Sequence, residues 1–408
     1  MPSWSTLTSI ELSNSLPSLV WYLNSATARF VHRNPATARV DRSTCDNGGV
    51  TRPGLIDELS EAALAAGLVG IGVAAVETFD DTRHTLESRK AEGLHGGMAF
   101  TYRDPARSTD PARILSGARS LVVGALGYAG GSLSDPSFDG PAGRVARYAV
   151  ADHYQELRDA LRAVADVLEA DGHRTRIVLD DNALVDRAAA HRAGLGWFGH
   201  NANLLVPGFG SWVVLGSIVT DADLVPSSVV PDGCGPCRRC LDGCPTGAIV
   251  APGVVDARRC LAWLVQAEGT FPHDYREALG DRVYGCDECQ EVCPPARRSP
   301  QGREEVATEG AWVELFWMLR ATDEELLERL GRWYIPRRDL RYLRRNALIA
   351  LGNTADPNDA ESRAELRRFI ESDDDMLREH AQWAERRLED RLEDHRDDPR
   401  SDHSGATA

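Results

Sequence analysis

Apolar and polar positions along this chain keep two different rhythms, and the places where one gives way to the other divide it. Apolar residues at helical spacing run through 53–64, and a strand-like apolar run covers 68–76. Ser120 to Leu126 reads as a buried strand, Tyr154 to Ala170 as a long amphipathic helix, and Thr175 to Leu179 and Trp212 to Val219 as further strands. Such alternation predicts a mixed α/β (α+β) domain over 53–225. The stretch 226–300 loses both rhythms and is dense in Cys, Gly and Pro, which predicts a small inserted module held by metal clusters in place of a conventional core. Over 301–385 helical spacing returns in Trp312 to Leu319, Thr322 to Leu330, Leu340 to Leu351 and Ser362 to Glu371, paired helices that resemble one or two solenoid repeats. Residues 1–52 carry no sustained period and predict little order, while 386–408 predicts a charged helix fraying into a polar tail.

Asp and Glu outnumber Lys and Arg by 62 to 46, a formal net charge of −16. At long range such a chain repels nucleic acid and anionic membranes, so a polyanion must meet a local basic patch. Arg332-Trp-Tyr-Ile-Pro-Arg337-Arg338-Asp-Leu-Arg341-Tyr-Leu-Arg344-Arg345 offers one, with six arginines between aromatics suited to phosphates and splayed bases. The same pattern also describes a solvated helix face over a core of Tyr342 and Leu343. The only lysine, Lys90, has no Gly-Lys-Ser/Thr setting, which excludes a phosphate loop of that kind. No apolar run reaches the length of a membrane span, and the nearest thing to a signal-peptide core, Ser18 to Leu23, is preceded by Glu11 and by no Lys or Arg; a cytoplasmic protein without membrane contact is expected.

Eight of the nine cysteines fall between Cys234 and Cys293, with Cys45 apart. In a reducing compartment that clustering points to metal ligation. Cys234-x2-Cys237-x2-Cys240-x3-Cys244-Pro245 has the spacing with which two-cluster ferredoxins hold [4Fe–4S] cubanes, the fourth cysteine serving the neighbouring cluster. Cys286-x2-Cys289-x3-Cys293-Pro294 repeats the end of the motif with Val283 in its first position, and Cys260 is the substitute. One cluster is therefore assigned to Cys234, Cys237, Cys240 and Cys293, and the other to Cys244, Cys260, Cys286 and Cys289. Two structural zinc sites would also use eight thiolates, but zinc ribbons favour two separated C-x2-C knuckles without the Cys-Pro exit. Gly70-x-Gly72-x-x-Ala75 is a poor dinucleotide fingerprint, better read as strand glycines.

Beyond the cysteines, Leu241-Asp-Gly-Cys-Pro-Thr-Gly-Ala-Ile-Val250, Gly93-Leu-His-Gly-Gly-Met98, Gly117-Ala-Arg-Ser120, Ala193-Gly-Leu-Gly-Trp-Phe-Gly199 and Arg344-Arg-Asn-Ala-Leu-Ile-Ala-Leu-Gly-Asn353 stand in one order that resembles the epoxyqueuosine reductases, enzymes that complete queuosine in tRNA. The resemblance covers about 53–385. It implies two [4Fe–4S] clusters passing electrons to a base-off cobalamin (cob(II)alamin) beside the first cluster, in the α/β domain, and a C-terminal HEAT-like region that binds the anticodon loop of tRNA. Asp171-Gly-His173 lacks the remainder of the common cobalamin signature, so no protein histidine ligand is expected there.

By the same resemblance Asp180 is the acid that protonates the opened epoxide, with Arg187 orienting it. The family's Asp-Tyr-His appears as Asp152-His153-Tyr154, which makes both His153 and Tyr154 catalytic candidates. The implied cobalamin contacts are Asp180, Arg187, His200 (in place of the family's lysine), Asn201, Ser211 and Arg107. Arg337, Arg338, Arg341, Arg344 and Arg345 are the implied tRNA contacts, a flavodoxin or ferredoxin the implied electron donor, and a monomer the expected state. Two other functions fit fewer features: a cobalamin-dependent reductase of a small molecule, such as a reductive dehalogenase, and a ferredoxin-type electron carrier, which would leave most of the chain without a role.

Overall fold

The computed structural model describes residues 52–306 and 308–397; the expectations for residues 1–51, including Cys45, and for the tail beyond 397 lie outside the described residues. In chain order the first elements are α1 (Leu55–Ala65), β1 (Leu68–Ala75), α2 (Asp80–Ala91), β2 (Ser120–Gly127), β3 (Ala142–Val145), α3 (His153–Ala170), β4 (Thr175–Val178), α4 (Asp186–Arg192) and β5 (Val213–Thr220). Four strands form a sheet in the order β1-β2-β5-β4, every neighbouring pair antiparallel.

The sheet is buried on both faces because its central strands are apolar at successive positions, and their two-residue period deals those positions to opposite sides. In β2, Val122 and Leu126 join the core under α1 and α3, while Leu121, Val123 and Ala125 face the core under α4. In β5, Val214 and Ile218 take the first side, and Leu215 and Val219 the second. Helix α3 meets the sheet with Leu157, Ala160, Leu161, Val164, Ala165 and Leu168, a stripe at helical period, and Asp152 caps its start by accepting the Gln155 N–H at 3.0 Å. Gly216 lets the helix come this close, since a Cβ there would meet a Leu161 methyl at 2.7 Å.

The rest of the chain is built around a second, three-stranded sheet. Strand β3 runs parallel to β6 (Arg282–Tyr284), from the cysteine-rich stretch, and antiparallel to β7 (Trp312–Glu314). Helices α5 (Leu315–Arg320), α6 (Asp323–Leu330), α7 (Arg341–Thr354), α8 (Ala360–Ile370) and α9 (Asp375–Asp397) follow. Thr322 starts α6 with a capping box closed by Glu325.

Two expectations are corrected here. Trp312 to Glu314 is a strand and not the start of a helix, because pairing with β3 supplies backbone partners that local propensity does not anticipate. The cysteine-rich stretch also has a conventional core: Leu261, Leu264, Val265, Phe271, Leu279 and Val283 are buried in one cluster with Val145, Val313, Leu348 and Ala381. Metal clusters are therefore not its sole support. Among the described residues no helix is long and apolar enough to cross a membrane.

Candidate functional site

The eight cysteines are all free thiols, and the structure gathers them in two groups. Cys234, Cys237, Cys240 and Cys293 border one cavity of about 320 Å³, together with His200, Asn201, Arg239 and Arg298. Burial lifts the Cys240 thiol to about 11, and nearby Cys293, Cys234 and Cys237 add to the rise. Cys244, Cys260, Cys286 and Cys289 form the second group. Burial lifts Cys286 to about 12 with a contribution from Cys260, and lifts Cys289 well above the ordinary range with contributions from Cys286, Cys260 and Cys244. Cys244 is the exception, since the backbone amides of Thr246, Ile249 and Ala248 outweigh its burial and lower it; Ala248 N–H donates to its sulfur at 3.2 Å.

Four sulfurs around one zinc would stand about 3.8 Å apart, from tetrahedral Zn–S bonds of about 2.3 Å. Among the described residues no three His, Cys, Asp or Glu side chains converge in a way that would hold a single ion. An all-thiol donor set spread around a cavity suits a cubane, whose binding must expel the thiol protons that burial favours.

A second constellation sits where β4 ends. Asp180 takes a left-handed conformation (φ 46), and Asp181 closes the turn by accepting the Ala183 N–H at 2.7 Å. Asp181 is thus the solvated turn residue; Asp180 also keeps solvent access, yet the protein around it raises its pKa, first by desolvation and then through the Asp181 charge.

Asp186, at the start of α4, was not expected as a site residue. Its Oδ1 is buried without a hydrogen-bond partner, and its pKa is well raised by desolvation and then by Asp180, against the lowering pull of the Asp180 backbone amide and of Arg187. Tyr154 completes the group: burial, followed by the charges of Asp180 and Asp186, pushes its phenol up. Of the two exchanged residues, Tyr154 thus faces the carboxyls. His153 instead stacks on Tyr128 (ring centres 5.2 Å apart) and meets Glu156 at 3.1 Å.

Arg187 connects the two constellations. Its guanidinium donates to Ala202 O at 3.2 Å and lowers the pKa values of Asp186, Tyr154 and Cys260. Tyr284 is a further link that sequence reasoning missed. It lies two residues before Cys286, its phenol is pushed to about 12 mainly by burial, with Asp180 contributing, and it stacks on Trp333 at 4.3 Å. Its position next to the cysteine motif was the available signal. A buried clamp holds this side of the module: Arg147 N–H donates to Asp287 Oδ2 at 2.8 Å, and the Arg147 guanidinium to Gly131 O at 3.0 Å.

His200 and Asn201 lie against the cysteine loops, the first 2.8 Å from Cys237 O through Nδ1, the second donating to Cys289 O at 3.3 Å. Ser211 is buried with its hydroxyl unpartnered. Arg107 is exposed on the turn beside the carboxyls, where Ser108 donates to Asn182 O and accepts the Val185 N–H through its carbonyl.

The arginine-rich stretch divides. Arg337 and Arg338 sit in left-handed conformations near exposed Tyr334, with Arg337 paired to Glu268 and Arg338 donating to Gly331 O. Arg341 pairs with Asp339 and Asp374, and Arg344 with Asp323. Arg345 is a correction: it is fully buried and cannot reach a phosphate, because its guanidinium donates to the carbonyls of Leu264, Val265, Ala267 and Gly269. Trp333 and Tyr342 are likewise core and offer no face to a base.

A 4Fe-4S double cluster binding domain matches residues 233–296. This places the chain among the proteins that carry a double [4Fe–4S] cluster domain. It is 33% identical to the epoxyqueuosine reductase of Xanthomonas campestris over 79% of this chain and 93% of that one, and 32% identical to that of Bacillus subtilis over 81% and 86%. Among solved structures, an epoxyqueuosine reductase with an epoxyqueuosine-modified tRNA-Tyr stem loop aligns at TM-score 0.74 and 32% identity over 82% of this chain and 90% of that one; the enzyme of Streptococcus thermophilus aligns at 0.75 and 28% over 84% and 94%. The chain belongs to the epoxyqueuosine reductase family.

Proposed function

We propose that the chain reduces epoxyqueuosine at the wobble position of tRNA to queuosine, using electrons passed through its two clusters to a cobalamin held by residues 53–225. Loss of the epoxide oxygen as water consumes two electrons and two protons. The observation that carries this reading is the double-cluster domain with its eight gathered thiols, in a chain 33% identical over most of its length to an epoxyqueuosine reductase.

The fit of cobalamin rests on buried polar atoms without partners. Asp186 Oδ1, Ser211 Oγ and Trp197 Nε1 are of this kind, and a corrin rim of amides offers them donors and acceptors. Arg107 and Arg187 are exposed and suit its phosphate. On this reading Arg107, Arg187, His200, Asn201 and Ser211 hold the cofactor, which when bound supplies a strong reductant at its metal. Asp180 keeps its proton to higher pH than an ordinary carboxyl and delivers it to the oxygen as the C–O bond opens. Half-buried Tyr154 keeps its phenol protonated as a donor beside Asp180.

Residues 301–385 serve as the HEAT-like region that receives the anticodon loop, with Arg337, Arg338 and Tyr334 at its surface. The enzyme works as a cytoplasmic monomer. The test is to reconstitute the protein with clusters and cobalamin without oxygen, desalt it, and incubate it with reductant and epoxyqueuosine-containing tRNA. Corrin absorbance that survives desalting, together with queuosine in the nucleoside digest, is expected; corrin washing off with the nucleoside unchanged would refute the proposal.

A further inference from the structure

The two cysteine groups differ in their surroundings. Around Cys234 and Cys237 the loop is open: Gly233, Gly235, Pro236, Arg238 and Arg239 are all exposed. Around Cys286 and Cys289 it is closed, with Tyr284, Gly285, Asp287 and Gln290 buried. Electrons from outside therefore meet the open group first.

The mouth of the open group's cavity is basic. Arg239 and Arg298 line it, exposed Arg238 and Arg297 flank them, and among the described residues none of these four side chains makes an ion pair or hydrogen bond. Free arginines are a marked feature in a chain of net charge −16, whose other arginines are so often paired within the fold. Of the carboxylates nearest in sequence, Asp232 turns back to accept the Cys234 N–H at 2.9 Å and Asp242 is exposed.

We infer that this arginine rim is the docking surface for an acidic protein that carries single electrons, and that the cluster held by Cys234, Cys237, Cys240 and Cys293 is the one it reduces. Each encounter moves one electron: the carrier is oxidised by one unit, the cluster passes from the 2+ to the 1+ state, and no bond or proton changes. The reduced cluster then passes its electron inward, to the interior of the protein. Charge complementarity steers the encounter, since the acidic remainder of the chain repels such a carrier everywhere except at this rim. The inference rests on the two-cluster reading and not on the identity of the final substrate.

The test uses the full chain reconstituted without oxygen and follows the bleaching of cluster absorbance in a stopped-flow instrument. Two reductants are compared: reduced flavodoxin, an acidic flavoprotein, and dithionite. Raising ionic strength from roughly 0.05 to 0.3 M is expected to slow the flavodoxin reaction about tenfold. Arg238→Glu with Arg297→Glu, the pair outside the cavity lining, is expected to slow it about tenfold or more at low salt, by a larger factor than it slows dithionite, a small anion. Arg238→Ala with Arg297→Ala, a milder pair, is expected to slow it by a smaller factor. Unchanged flavodoxin rates in both double variants would overturn the inference. So would a loss of affinity for a tRNA stem loop with the flavodoxin rate intact, which would make the rim an RNA surface.

Discussion

Replacing Arg345 by Met tests whether this arginine belongs to the fold or to RNA binding. The change keeps an apolar stem and removes a guanidinium that serves four backbone carbonyls and the Asn346 side-chain oxygen. At about 1.5 kcal/mol for each hydrogen bond from a charged donor, the gross loss is roughly 7 kcal/mol. Burying the cation works in the other direction. Its pKa falls from 12.5 to about 10, chiefly through desolvation, which corresponds to roughly 3 kcal/mol recovered on removal. The net destabilisation is then roughly 4 kcal/mol, in the range for breaking a buried charged network.

For a unit of this size, at about 2 cal/mol/K of unfolding entropy per residue, that lowers Tm by about 5 °C. The loop concerned begins at Cys260, which precedes the helix Leu261–Leu264, so iron should also be lost more readily to a chelator. Anaerobic thermal unfolding, read beside tRNA binding to the folded variant at low temperature, is the assay. A Tm within 1 °C of wild type combined with roughly tenfold weaker tRNA binding would refute the structural assignment and return Arg345 to the RNA surface.

Four further outcomes are expected. Asp180→Asn should retain both clusters and lose turnover by about 10²- to 10⁴-fold, the usual worth of a positioned acid, measured in single-turnover assays. Asp181→Asn removes a like charge that raises the Asp180 pKa, so the alkaline limb of the pH–rate profile should move to lower pH; a shift to higher pH would contradict the electrostatic reading. Cys293→Ser should reduce iron from about eight to about four per chain, and loss of all iron would show that the groups are not independent. Buried His380 accepts the Phe271 N–H at 3.1 Å and is held near 4, mainly by burial, below its ordinary 6.5. The unfolded chain then binds the extra proton between those values, so stability is complete above about 6.5 and declines as pH falls towards 4; His380→Gln should flatten that slope in denaturant titrations.

The strands of the four-stranded sheet were legible because β2 and β5 carry their apolar residues in uninterrupted runs, and α3 because its stripe repeats at helical period; the antiparallel pairing was not. The strand at Trp312 was not, since its cause is β3, far away in sequence. The same holds for the core of the cysteine-rich stretch: Val283 and Phe271 find their partners in α7 and α9, and no local pattern records that meeting. In the site, spacing marked seven of the eight thiols that gather, and the count of cysteines marked Cys260 as the eighth. Asp186 stayed hidden because its role depends on the left-handed turn at Asp180, which brings two carboxyls six positions apart into one electrostatic neighbourhood. Arginines in a row said nothing of which would point inward, and Arg345 took the inward place because α7 lays it against the carbonyls of a loop some 80 residues earlier.

The central claim is a reduction carried out on tRNA by this chain's own acid and clusters. Nucleoside mass analysis of epoxyqueuosine-containing tRNA, incubated without oxygen with reductant and the reconstituted protein, tests it most directly. The modified nucleoside should lose one oxygen atom with wild-type protein and keep it with Asp180→Asn. An unchanged nucleoside with wild-type protein whose clusters and cobalamin are both intact would contradict the account.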